Sequence, residues 1–331
     1  MGTIYLTAGI ILLALAMYDF FFTTLSGGGA AFITRFVTFI SHKSLQLCVK
    51  LFGRSVYKFS GMAINLSVLL VWVVLIWIGL YLVFSSDPIG IVNDKGRMAN
   101  NWERLYYTGY TLSTLGMGNF SPTTPVFEML TSIFSFFGFI FFTTSMTYLI
   151  SVSSAVIHKR SLALAIRNLG KNPEEMVYRL LNQDITLSRM NLSSLQDKIE
   201  RHSVNLQAYP VLHNFANSQI PGSLSLNLVT LDEALSILLN SKEGEKMKNA
   251  LTSIRSSLTY FLNHIDENFS RTLHKEAGPD VHKLPGWEII SSSYINDPNL
   301  YYRRKILGGL LKSESFEWQD VYNTKSSAES N

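Results

Sequence analysis

Charge is scarce where this sequence begins. Residues 1–158 carry 8 Lys and Arg and 5 Asp and Glu, whereas residues 159–331 carry 20 and 19. Over the whole chain hydrophobic residues make up 47% and charged residues 16%, too apolar for an ordinary water-soluble chain of this length. The change near His158 separates a membrane part from a water-soluble part. Cysteine is nearly absent: Cys48 alone rules out an intrachain disulfide and cannot by itself form a metal cluster. No G-x-G-x-x-G follows a strand pattern, and strands do not alternate with helices, which excludes a dinucleotide-binding domain. Gly27-Gly28-Gly29 has no strand before it and is not a phosphate loop. Net charge is only +4, so no nucleic-acid-binding surface is expected. No nucleophile–base pair or metal-ligand set stands out, so an enzyme is not expected. No apolar run carries the arginine series of a voltage sensor.

What remains is apolar length. Runs over residues 4–25, 62–84 and 126–156 each reach the ~20 residues that a helix needs to cross a ~30 Å hydrocarbon core. The first has no basic segment before it and no evident cleavage site, so it is read as a retained helix rather than a secretory signal. Basic residues set the orientation. Arg35, Lys43, Lys50, Arg54 and Lys58 lie between the first two runs without an acid, and His158-Lys159-Arg160 follow the third. Both places are expected in the cytoplasm, which puts the N-terminus outside and the C-terminal half inside. Within residues 31–60 apolar residues interleave with these cations at near-helical spacing. The expectation is an amphipathic helix on the inner membrane surface, attracted by anionic lipid; a helix packed on the protein's own cytoplasmic part is the alternative. Asp19, the one acid of the first run, is a functional candidate by its position, or a partner for Arg35.

Between the second and third runs, residues 101–122 are aromatic, too short to span, and lead into Thr114-Leu115-Gly116-Met117-Gly118-Asn119 before a Pro-containing turn. This is the pattern of a re-entrant loop. A short helix enters part-way and extended backbone returns to the same side, tolerated at that depth only where it is buried in protein or lines water. Stacked backbone carbonyls that replace an ion's water need alternate residues in conformations costly for a side chain with a Cβ, and Gly116 and Gly118 supply them. Thr114 adds a hydroxyl at the inner end, and the short helix points its C-terminal partial negative charge toward the ion path.

On these residues the chain resembles the potassium-channel superfamily, whose filter reads Thr-Val-Gly-Tyr-Gly-Asp. The likeness covers about residues 62–156, in the family's order of outer helix, pore helix, filter and inner helix. The resemblance implies a homotetramer that passes a monovalent cation, potassium above all, along Thr114, Leu115, Gly116, Met117 and Gly118, with no organic cofactor. It also implies an inner-helix hinge at Gly138, for which close helix packing is the other reading. Three residues depart from the pattern. Leu115 stands where the family has Val and changes little. Met117 stands for Tyr and removes a phenol that ties the filter to the pore helix. Asn119 stands for Asp and removes a ring of charges at the outer mouth; Tyr110 is expected to bond it as a neutral pair. Weakly selective cation flow and a non-conducting membrane sensor are the competing readings.

Residues 159–331 are expected to be mainly helical, with helices over 161–169, 173–182, 192–208, 230–240 and 244–269. Pro210, Pro221-Gly222 and Pro285-Gly286 are breaks, and the end from Ser326 is expected to be disordered. Thr230 before Asp232-Glu233 reads as a helix start with acids in its first turn. His264, His274 and His282 with Asp266 and Asp280 match no compact metal motif and read as solvated. Tyr301-Tyr302-Arg303-Arg304-Lys305 reads as a basic cluster, solvated or set against lipid or a neighbouring subunit. The expected molecule is an all-α membrane protein with three transmembrane helices and a re-entrant pore loop between the second and third. Residues 1–60 hold the first membrane helix and the interfacial helix, 61–158 the pore domain, and 159–331 a helical cytoplasmic domain.

Overall fold

The computed structural model describes residues 2–53, 56–216, 220–269, 278–281, 284, 287, 294 and 297–322. Helices α1 (Gly2–Leu25), α2 (Phe32–Phe52) and α3 (Tyr57–Phe84) come first, then strand β1 (Ile91–Asn93), α4 (Asn101–Leu112), β2 (Phe120–Pro122) and α5 (Pro125–Leu169). Of these, α1, α3 and α5 are long and apolar enough to cross a membrane. The fold is all-α apart from the pairing of β1 with β2. The chain forms two units, one of Met1–Leu47, Gly61–Ser153 and Gln207–Val211, the other of Cys48–Ser60, Ser154–Leu206 and Leu212–Asn331.

In the first unit α1 runs antiparallel to α3, and glycines let the two backbones approach. A Cβ on Gly2 would lie 2.4 Å from the Ser86 carbonyl oxygen, and one on Gly9 would lie 2.8 Å from that of Gly79. Near its other end, α1 sets Asp19 against Trp72. The N-terminus of α1 therefore lies at the end of the unit where α3 stops and the 85–124 segment begins. The core joins α1, α3, α4 and α5 through Ala16, Phe20, Trp72, Leu80, Tyr107 and Phe141. Phe20 fills the centre, with ring centroids 5.2 Å from Trp72 and 4.5 Å from Phe141. Strands β1 and β2 are antiparallel, Val92 opposite Ser121, so the chain leaving α3 and the chain leaving the filter segment are tied together.

The second unit is built around a buried helix. It contains α6 (Pro173–Asn182), most of α7 (Ile185–Ala208), α8 (Leu224–Leu239), α9 (Lys248–Phe269), α10 (Pro298–Ser313) and α11 (Trp318–Tyr322). Every residue of α8 from Leu224 to Leu238 is buried, against α6, α9, α10 and α11.

Several expectations change here. The third apolar run and the 161–169 segment form one helix, because nothing in Ile157-His158-Lys159-Arg160 interrupts helical geometry. Helix α7 starts at Ile185, since the Asp184 carboxylate accepts from the Thr186 and Leu187 amides at 2.8 and 3.1 Å. The 244–269 pattern divides into a 3-10 turn, Glu243–Met247, and α9.

Helix α8 starts at Leu224 under a Ser223 cap, not at Thr230, so Asp232 and Glu233 sit in its interior rather than in a first turn. Asp232 accepts from Arg255 at 2.7 Å and Arg303 at 2.5 Å; Glu233 accepts from Arg304 at 3.0 Å and from the Tyr322 hydroxyl. Arg303 and Arg304 are thus internal ion-pair partners and not a solvated cluster. Burial opposes the charge of both acids. At Asp232 the two guanidiniums prevail and hold the carboxyl below its ordinary range, whereas at Glu233 burial prevails and raises it.

Asp266 of α9 accepts from the Tyr302 hydroxyl, and His264 lies beside Asn268. His274, His282, Pro285-Gly286 and the end from Ser326 lie outside the described residues. Among the described residues, no group of three or more His, Cys, Asp or Glu could hold a metal.

Candidate functional site

The re-entrant helix α4 is started by a reciprocal cap. Asn100 Oδ1 accepts from the Glu103 amide at 3.0 Å, and Glu103 Oε2 accepts from the Asn100 amide at 2.7 Å. One turn on, Arg104 is buried, and its guanidinium bonds backbone carbonyls. Its Nε donates to the Ala99 carbonyl at 3.1 Å, one terminal nitrogen to Phe84 and Asp87 at 2.7 and 2.8 Å, and the other to Pro88. One guanidinium thereby gathers the end of α3, the following loop and the start of α4. No sequence pattern announces this, because all its partners are backbone carbonyls. Trp77 of α3 donates to the Leu105 carbonyl at 2.9 Å and to Thr108 Oγ1 at 3.1 Å, and Gly109 leaves room for its ring.

The end of α4 holds the start of the 114–119 segment. The Thr114 amide donates to the Thr111 carbonyl at 3.2 Å and the Leu115 amide to the Tyr110 carbonyl at 2.9 Å. Beyond this point alternate residues are left-handed: φ is +59° at Thr114, +58° at Gly116 and +76° at Gly118. A Cβ on Gly116 or Gly118 would meet nothing within 4 Å, so these positions need glycine for its conformation and not for space. Thr114 takes the same conformation with a Cβ, a strain of about 1–2 kcal/mol. Residues 113–119 are all exposed in the protomer.

Tyr110 does not bond Asn119. Its hydroxyl donates to the Phe120 carbonyl at 2.7 Å, and the Asn119 carbonyl accepts from the Asp94 amide at 3.3 Å. The phenol is buried between Tyr106 and Tyr107, with centroids 5.3 and 5.1 Å away, so it reaches β2 rather than the residue before it. On α5, a Cβ at Gly138 would lie 1.9 Å from the Leu112 carbonyl oxygen, which makes the glycine a contact point with the end of α4. Thr131 meets the Tyr107 hydroxyl at 2.5 Å. Thr143 and Thr147 are exposed, and their hydroxyls bond carbonyls of their own helix. An apolar cleft of about 640 Å³ opens beneath Thr114, bounded by Val73, Trp77, Leu112, Phe139 and Phe142.

Asp19 does not pair with Arg35, whose Nε donates to the Ala30 carbonyl at 2.6 Å. The Asp19 carboxylate instead accepts from the Ile33 amide at 2.7 Å, the Thr34 amide at 3.1 Å, the Thr34 hydroxyl at 2.5 Å and Trp72 Nε1 at 2.8 Å. It caps α2 from another helix. The sequence flagged the residue but not its partners, which lie 14, 15 and 53 positions away.

Two helices long and apolar enough to cross a membrane bracket a capped short helix and an alternating glycine segment, and residues 67–154 match the ion channel family, so this part of the membrane protein is an ion-channel domain. Over 327 residues, 95% of this chain and 95% of the relative, the sequence is 30% identical to the Uncharacterized membrane protein YdjJ of Bacillus subtilis (strain 168), and the chain belongs to that protein's family. No solved structure matches.

Proposed function

We propose that this protein is the protomer of a homotetrameric cation channel that prefers potassium. The observation that carries the reading is the alternation of positive φ at Thr114, Gly116 and Gly118, directly after the short helix α4 that lies between two helices long enough to span a membrane. Such alternation turns successive carbonyls to one side, where rings from several copies replace the ion's hydration shell. The exposed filter segment and the exposed Phe136, Phe139 and Phe142 of α5 supply surface for neighbouring copies. Carbonyl oxygens and the negative end of α4 both favour a cation. Tyr110 takes over the tie between pore helix and outer filter that the family places at the residue here occupied by Met117, which supports potassium preference over weakly selective flow. Gly138 serves close contact with α4, the packing reading of this glycine. The N-terminus and filter mouth face outward and the helical C-terminal part lies in the cytoplasm. Reconstitution of the purified full chain tests the reading: unitary cation currents, and a tetramer by native mass measurement, are expected. Silent bilayers containing correctly assembled tetramers would instead favour a non-conducting membrane sensor.

A further inference from the structure

Helix α2 leaves an apolar stripe uncovered. Phe32, Phe36, Phe39, Ile40 and Leu47 recur at helical spacing on one side and are all exposed, Phe32 at 82%. Lys43 stands within the stripe, its ammonium 4.6 Å from the Phe39 ring centroid, with its stem along the apolar surface. Residues 31–60 contain five Lys and Arg and no acid. An apolar stripe whose charged neighbours are all cations suits the boundary between acyl chains and anionic headgroups, and a water-facing protein surface would leave the phenyl rings wet.

The start of this helix is fastened inside the membrane core. The Asp19 carboxylate is 2% exposed and spends its acceptors on the first turn of α2 and on Trp72. Its neighbour Phe20 is wedged between Trp72 and Phe141, while Phe21 meets Phe137 with centroids 6.1 Å apart. Phe137 and Phe141 flank Gly138, the point where α5 touches the last carbonyl of the pore helix. A displacement of α2 therefore acts on a rigid corner, and that corner bears on the helix that supports the filter.

We infer that α2 docks on the anionic lipid of the inner leaflet and that Asp19, as a positioning residue, transmits this docking to α5 and so sets how readily the pore conducts. The coupling rests on the channel reading above, whereas the docking does not.

The test uses full-length protein in vesicles of phosphatidylcholine, alone or mixed equally with phosphatidylglycerol. For docking, a fluorophore is attached to Cys48 of the natural chain, or to Leu47→Cys in a Cys48→Ser background, and nitroxide-labelled acyl chains are the quencher. Quenching several-fold stronger at position 47 than at position 48 is expected, since only position 47 lies on the stripe. Equal or absent quenching overturns the docking and points to a second copy over the stripe. For coupling, potassium flux is compared between the two lipids. The natural chain is expected to show a several-fold lipid dependence. Asp19→Asn and Trp72→Phe are expected to bring that ratio close to one while unitary conductance and quenching at position 47 persist. An unchanged ratio in both variants, or a natural chain that conducts equally in both lipids, overturns the coupling. Quenching without any flux from the natural chain would leave the docking standing, remove the coupling and count against the channel reading itself.

Discussion

Gly116 and Gly118 have room for a methyl group and still disfavour one, because φ near +60° brings a Cβ against its own backbone. Gly116→Ala is expected to abolish unitary current while changing global stability by no more than about 1–2 kcal/mol, measured by thermal unfolding of the purified protein. Tyr110→Phe removes one hydrogen bond, worth about 1 kcal/mol, from the Phe120 carbonyl. Current that opens normally and then decays faster during sustained recording is the expected phenotype; kinetics identical to the natural chain would contradict the tie.

In the second unit His202 is buried and held neutral, its pKa pushed from 6.5 down to about 3 by burial, with Lys159 and His213 adding to the shift. Below pH 6.5 the unfolded chain takes up a proton that the folded chain refuses. Stability is therefore full above that pH and falls toward pH 3 by up to about 1.4 kcal/mol per pH unit. His202→Leu is expected to flatten this slope in denaturant unfolding.

These residue-level features differ in how far the sequence shows them. The glycine spacing is a local property and is readable in six letters. The acceptors for Tyr110 and Arg104 are backbone carbonyls, which carry no residue-specific letter.

Helix α8 shows why element boundaries were harder to read than element types. Asp232-Glu233 looks like a first turn because acids favour helix N-termini, yet Arg255, Arg303 and Arg304 compensate both charges deep in the helix. Arg303→Met leaves Asp232 with Arg255 alone, and a loss of about 3 kcal/mol in denaturant unfolding is expected, as for other half-broken buried pairs. The apolar runs behaved differently. Their length decides their type, and α1, α3 and α5 fall where the runs lie, with α5 continuing to Leu169 for want of a breaker. Gly138→Ala would drive a methyl into the Leu112 carbonyl, 1.9 Å away. A protein that melts at lower temperature is expected, and a variant as stable as the natural chain would count against that contact.

Across the whole molecule, a membrane unit with an ion-channel domain is joined to a helical unit centred on buried ion pairs. The first was readable because membrane insertion and carbonyl stacking impose strong local patterns. The second was readable only as helices, since its centre is set by charges that meet across 23 and 71 residues. On the channel reading proposed above, what the membrane unit selects is decided at Thr114–Gly118. The most direct measurement is the reversal potential of the purified protein in a planar bilayer, with potassium on one side and sodium on the other. A reversal displaced clearly toward the potassium equilibrium potential is the predicted result, and a reversal at zero would contradict it.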